Sequence, residues 1–533
     1  MSAILPLDVS RGHRFYEPLL FLYCLIKAYH RRQGTTVPDL ETTEGKSRTD
    51  IYRCFVNKLG QICHSSGEQG GTTITAFCVL QPGMIEYRFA SNRRTRQELD
   101  EVAAYIKDVL TTLGSASDQL LANSSQTLSM SSKILRRILS FTRPRITKYA
   151  TTLADNIEWC IVNCRQRGTT EASTVSSALQ KLQPLADFAV QDPELSNAEF
   201  AQRSENLLNA IHKVYSSTVR EFVQTIASEE DKWRELRQAT GRLHSYLIAV
   251  KVLISTRKLW PQLFVDFDIV PVASSVPMEK APNIRRSVEG ILRRFPTNKK
   301  EELLRLIGQT PGFKDMELDN AIARRAKPRT FKPIIHCELI LLDSYLRDKA
   351  AAPIDEPVRF FNEAELGRYI GCGKPTCWLC WMYFVNHPSA GVDVRPSSKN
   401  IYYEWRAPDV FAADPPAVKE ARDGITESMI TDLRKQVTQV FTDRVVFRNP
   451  HDSSATASNP LHTTDQNRST TAITNTFASK LARSSRSVTA TVADIDDITS
   501  MMGEVDVRDY EDGVEEFSGE WDEWQRIAAL PTV

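Results

Sequence analysis

The 533-residue sequence has no apolar run of the roughly 18–20 residues needed to cross a bilayer. The best candidates, Leu19–Ile26 and Tyr246–Ile254, are short and interrupted by lysine, so no membrane partner is expected. Met1–Arg11 lacks a basic stretch followed by a long apolar one, and no secretory leader is expected. The metalloprotease pattern His-Glu-x-x-His and the nucleophile elbow Gly-x-Ser-x-Gly are both absent. Gly371-Cys372-Gly373-Lys374 is not a phosphate loop, because Arg368 stands where that motif needs glycine and Pro375 where it needs Ser or Thr. Neither sign of charge dominates: 67 Lys+Arg oppose 66 Asp+Glu, a formal net charge of +1.

What is present narrows the class. An apolar share of 41% builds real cores and excludes a wholly disordered chain, and the length suggests about two to four domains. Ten cysteines without a leader imply a reducing compartment, with thiols or metal ligands in place of a disulfide framework. The expectation is an intracellular protein, with cytoplasm and nucleus both open to it. The even charge total hides an acidic end, from Asp494 to Glu523, and a basic run from Lys280 to Lys332. That run either attracts phosphates or is a solvated helix face.

The pattern along the chain predicts a mixed α/β segment over 1–95, a helical region over 96–262, and an α/β domain over 263–448. A Ser/Thr-rich linker over 449–490 and an acidic tail over 491–533 complete it. Tyr16–Tyr29 reads as a helix. Thr73–Leu80 and Met84–Phe89 read as strands about Pro82-Gly83, with period-two alternation clearest at Ile85–Phe89. Helices are expected at Leu99–Leu113, Ser131–Phe141, Leu153–Cys164, Thr174–Val190 and Asn197–Leu253, and a strand at Leu263–Val270. The helical region carries no chemical motif and suits packing or a protein partner. Phe517, Trp521 and Trp524, set among carboxylates, make the tail a second candidate for docking a basic surface.

One constellation carries chemistry. Phe331–Leu342 reads as a short strand entering a helix, with His336 and Glu338 at the junction. Arg368–Met382 reads as strand, glycine turn and helix, with Cys377 and Cys380 at the helix start. His-x-Glu followed by Cys-x-x-Cys at a second helix start is the pattern of zinc deaminases. Three ligands, His336, Cys377 and Cys380, suit a catalytic zinc that keeps a fourth position for water. Glu338, two residues from the histidine, would move protons between that activated water and an amine leaving C4 of cytosine or a similar carbon. Cys372 offers an alternative: with His336, Cys377 and Cys380 it would close the site as structural zinc, as would a local set of Cys372, Cys377, Cys380 and His387. A scaffold protein with such a site is the competing functional reading. Trp378 and Trp381 are candidates for stacking on a base or for core packing, and Cys337 reads as core.

The segments His336–Leu342, Tyr369–Cys380 and Arg395–Pro408 resemble the OTT_1508-like deaminase family, widespread among fungal proteins and assigned to the cytidine deaminase-like fold. Here Thr376 precedes the first cysteine, where many deaminases have proline. The resemblance implies an α/β/α sandwich with a mixed sheet and a zinc hydrolase acting on a base-like amine, free or in nucleic acid. Arg395, Ser397 and Asn400, after the second helix, are the further candidates for substrate contact, with Trp378.

Overall fold

Period-two alternation builds the centre of the molecule. Strands β1 (Thr75–Leu80) and β2 (Ile85–Ser91) pair antiparallel about the Pro82-Gly83 turn, with Phe77 opposite Phe89 and Cys78 opposite Arg88. Strand β3 (Phe267–Val272) runs parallel to β2, β4 (Tyr369–Cys372) antiparallel to β1, and β5 (Asp393–Val394) parallel to β4. The result is a five-stranded mixed sheet in the order β3-β2-β1-β4-β5. In this computed structural model the described residues are 3–447, except 29–31, 34–45, 68–70, 189–191, 193, 215–216, 228–229, 279–281, 330, 354, 356, 389–390 and 444–445. The linker and acidic tail expected over 449–533, Phe517, Trp521 and Trp524 included, lie outside the described residues.

Among shorter helices the chain forms α1 (Val9–Ala28), α2 (Arg48–Ile62), α3 (Arg96–Gly114), α4 (Ser124–Phe141), α5 (Arg143–Arg167), α6 (Thr170–Ala186), α7 (Asn197–Val214), α8 (Asp231–Leu259), α9 (Cys337–Ala351), α10 (Trp378–Asn386) and α11 (Pro416–Asp443). The two faces of the sheet belong to different cores. Phe77, Val79, Ile85, Tyr87 and Phe89 join α2, α3 and the helical block through α8. Ala76, Cys78, Leu80 and Ala90 point the other way, into a core with α1, α9, α10 and α11. Each large side chain so buried contributes about 2 kcal/mol, and Phe77 stacks on Phe89 with ring centroids 5.2 Å apart. The polar positions of β2 are covered as well. Arg88 is buried against Glu86 and, from α9, Ser344 and Asp348.

Local signals explain several boundaries. Thr95 and Glu98 form a reciprocal capping box that starts α3. Pro144 opens α5, and Gly168 closes it with a φ of +67°. The long helix expected over Asn197–Leu253 is three helices, α7, Ser217–Ile226 and α8; apolar residues recur at helical spacing on both sides of each break, so periodicity alone reads through them. The strand expected at Leu263 begins at Phe267, after a 3-10 turn at Pro261–Phe264. At Phe331–Ile335 the expected strand reduces to one bridge, Ile334 with Trp405, held by the Ile334 amide on Glu404 and the Arg406 amide on Ile334.

The sheet draws on two distant stretches of sequence. Residues 75–91, read from the sequence as part of a separate N-terminal segment, supply its two longest central strands, and residues 267–394 supply the rest. The described residues all belong to one compact unit. No helix among the described residues is long and apolar enough to cross a membrane.

Candidate metal centre

Two helix starts meet at the site. His336 is the N-cap of α9 and Cys377 the N-cap of α10. The Nδ1 of His336 lies 3.5 Å from the Sγ of Cys377 and 3.4 Å from that of Cys380. These three residues form a group whose ligand atoms could hold a metal ion. The Cys377 sulfur takes the capping role usually filled by a hydroxyl or carboxylate, accepting the Cys380 amide at 3.3 Å. The second sulfur accepts the indole N–H of Trp405, also at 3.3 Å. Indole nitrogen is a donor only, so this contact favours a thiolate at Cys380.

Electrostatics distinguish the three donors. Burial pushes the Cys377 thiol up, but the hydrogen bond from Cys380 and the charge of His336 outweigh it and hold the pKa at about 6. Burial likewise depresses His336, and Cys377 and Glu338 reverse the sign, leaving its pKa raised. Cys380 is pushed well up, by burial first and by Cys377 next. One nitrogen and two sulfurs, one already inclined to ionise, are a donor set that suits zinc.

Glu338 is buried in the first turn of α9, and the Cys337 thiol donates to its Oε2 at 3.3 Å. Cys337, expected to be a core residue pointing elsewhere, is therefore buried and also in contact with the acid. Cys372 belongs to this second group, with Cys337 and Glu338, and not to the group of His336, Cys377 and Cys380. His387 sits at the far end of α10, beside Tyr383. All ten cysteines are free thiols and buried. Burial pushes Cys160 up to about 12 and Cys164 up to about 11, as expected of packing thiols.

The other residues singled out from the sequence lie around the second helix start. Arg395 is buried and donates to the carbonyl of Cys372 at 3.2 Å. Ser397 bridges Thr376, and the Ser398 amide donates to the Thr376 carbonyl at 2.9 Å. Asn400 receives the Trp378 amide on its carbonyl at 2.9 Å. The 395–400 strand-like segment thus holds the loop that presents Cys377. Trp378 and Trp381 are half-buried and pack against the core.

Several residues at the site have no local sequence signal. Tyr402 sets its ring edge-on to His336, with centroids 6.0 Å apart. Ser275 accepts the Ile335 amide at 2.9 Å. Asn92, at the end of β2, accepts the Cys337 amide at 3.0 Å and donates to Gly71. Asn57 of α2 accepts both the Cys372 amide and the Tyr369 hydroxyl, at 3.2 and 3.0 Å. The glycines near Cys372 act by size, since neither Gly371 nor Gly373 has a positive φ. A Cβ on Gly373 would meet the Gly60 and Gln61 backbone of α2 at 2.8 Å.

Much of the basic run is paired. Arg293, Arg294 and Lys299 bind Glu289, Glu17 and Glu302. Arg286, Arg324, Lys327 and Arg329 are exposed.

A mixed α/β fold brings a histidine and two cysteines together, with a buried glutamate two residues from the histidine, and so defines the class: a protein with a Cys/His group that could hold a metal ion. Within that class, residues 335–409 match the model of the OTT_1508-like deaminase family, so the chain carries a deaminase-family domain over the segment that holds all four residues. No curated protein and no solved structure matches the chain.

Proposed function

We propose that this protein is a zinc-dependent deaminase that hydrolyses the exocyclic amine of a nucleobase, free or in a nucleic acid. The observation that carries the proposal is the meeting of His336, Cys377 and Cys380, with Glu338 buried two residues along from His336. His336, Cys377 and Cys380 would hold Zn²⁺, whose Lewis acidity supports hydrolysis near neutral pH. Glu338 takes a proton from the attacking water and returns it to the departing amine, so water adds, ammonia leaves and a carbonyl replaces the C–N bond. The Cys337 thiol orients that carboxylate. Tyr402, edge-on to His336, and the half-buried Trp378, next to Cys377, would flank a flat base. The exposed cations of the basic run favour a base that carries phosphate. The separation of Cys372 from the metal-type group supports an open site over a closed structural one.

The test is Glu338→Gln in the full chain, assayed for zinc content and for ammonia release from cytosine, cytidine, adenosine and single-stranded oligonucleotides. The variant keeps its zinc and loses roughly 10²–10⁴-fold in rate. A variant that turns over at the parent rate overturns the mechanism.

A further inference from the structure

We infer that the helical region, which carries no chemical motif, holds a second ligand site, for a nucleoside monophosphate or a close chemical relative. A cleft of about 1000 Å³ opens along α4, between α3 and α7. This is large enough for such a ligand. None of the residues lining it belongs to the metal centre.

The face that α4 turns to the cleft is polar and accessible to a ligand. Ser129, Ser132, Lys133, Arg136, Arg137 and Ser140 recur three and four apart as the polar stripe of α4, while Ile134, Leu135, Ile138 and Leu139 do its packing. Across from them α7 offers Asn197 and the small Ala198 and Ala201, and the two alanines leave the space open. At one end Tyr105 of α3 and Phe141 of α4 stack with centroids 3.9 Å apart, both partly exposed, giving a flat aromatic wall.

The charges are unbalanced. Arg136 is paired with Glu205 and Arg137 with Asp108. Lys133 is exposed and has no ion-pair partner among the described residues. One cation is thus uncompensated, and a second, Arg137, is held only by a half-exposed aspartate that an incoming anion can displace. Cations and serine hydroxyls along one side suit a phosphate monoester. The aromatic and alanine walls suit a flat ring attached to it. Inorganic phosphate would leave the walls uncovered, and a free nucleoside would leave Lys133 unanswered.

The experiment is calorimetric titration of the full chain with AMP, adenosine and inorganic phosphate at low salt. AMP binds saturably and more tightly than either fragment. Lys133→Glu weakens it at least tenfold, and Ser132→Trp, which fills the cleft, abolishes it. Asp108→Ala releases Arg137 and tightens binding several-fold, a gain that general damage to the fold does not produce. The titration is repeated in Glu338→Gln, where no deamination heat interferes, and the loss of AMP binding in Lys133→Glu and Ser132→Trp on that background places the ligand in this cleft and not at the metal centre. The inference is overturned if AMP fails to saturate, if Lys133→Glu and Ser132→Trp leave its binding intact while melting as the parent does, or if phosphate or adenosine binds as tightly as AMP.

Discussion

The side-chain carbonyl of Asn92 accepts the backbone amide of Cys337 at 3.0 Å, joining residues 245 positions apart. His336 caps α9 without a side-chain hydrogen bond of its own, so the first amide of the helix needs a partner from elsewhere. Asn92 supplies it from the end of β2, and its amide group is fixed in turn by Gly71 at 3.0 Å. The start of α9 carries His336 and Glu338, and its position is therefore set by a strand outside the deaminase-family segment.

Asn92→Ala leaves that buried amide unsatisfied, at a cost of about 1–3 kcal/mol. It also loosens the ligand on the same turn. The expected outcome is a lower melting temperature together with weaker zinc binding in a chelator competition, by roughly 10-fold or more, as for other groups that orient a ligand. Parent-like zinc affinity in a folded Asn92→Ala protein would show that Asn92 acts on stability alone.

The number of sulfur donors follows from the grouping of the cysteines. Cys377 and Cys380 face His336, while Cys372 faces Cys337 and Glu338. X-ray absorption at the zinc edge should count two sulfurs and two lighter atoms, with the same count in Cys372→Ser. Three sulfurs in the parent, falling to two in Cys372→Ser, would move Cys372 into the coordination shell and close the site.

Gly373 lets β4 and α2 touch. A side chain there would press on the Gly60 and Gln61 backbone at 2.8 Å, and backbone cannot rotate away as a side-chain tip can. Gly373→Ala should cost roughly 1–3 kcal/mol through overpacking. It should also disturb the metal centre, because Cys372 leads directly into the Cys377 loop. Urea unfolding and zinc content read the two effects; a midpoint equal to that of the parent would refute the close-approach account.

The grouping of His336 with Cys377 and Cys380 was legible in the sequence to the extent that its spacing is local. His-x-Glu and Cys-x-x-Cys each fit within one helix turn, so spacing alone brings their members to one helix start. What joined the two turns was not local. Asn57, Asn92 and Ser275 each satisfy one backbone amide near the centre, and an asparagine or serine in a sequence does not say which distant amide it will meet. The sheet follows the same rule. Alternation at Ile85–Phe89 announced a strand and its two faces, but register and partner depend on contacts hundreds of residues away. Arg395 shows the limit from the other side. A polar residue near a pocket suggests substrate contact, whereas here its guanidinium is turned inward to the Cys372 carbonyl.

The helical block should respond to acid through one pair. His212 of α7 and His244 of α8 stack with ring centroids 5.1 Å apart, and the Nδ1 of the first lies 2.9 Å from the Nε2 of the second. Burial lowers both, with help from Lys251 and Arg220, to about 4 for His212; for His244, burial and then the His212 charge bring it to about 3. An unfolded histidine titrates near 6.5, so the unfolded chain binds more protons in the interval between. Stability from the neutral pair is complete above pH ~6.5 and is lost as the pH falls from there toward about 4. Partial solvent access at His212 reduces the effect, leaving roughly 2 kcal/mol between pH 7.5 and 5. Urea midpoints measured across that range should fall in the parent and fall less in His244→Gln, which keeps a hydrogen-bonding group but cannot take up the proton. Parallel curves for the two proteins would place the acid sensitivity elsewhere.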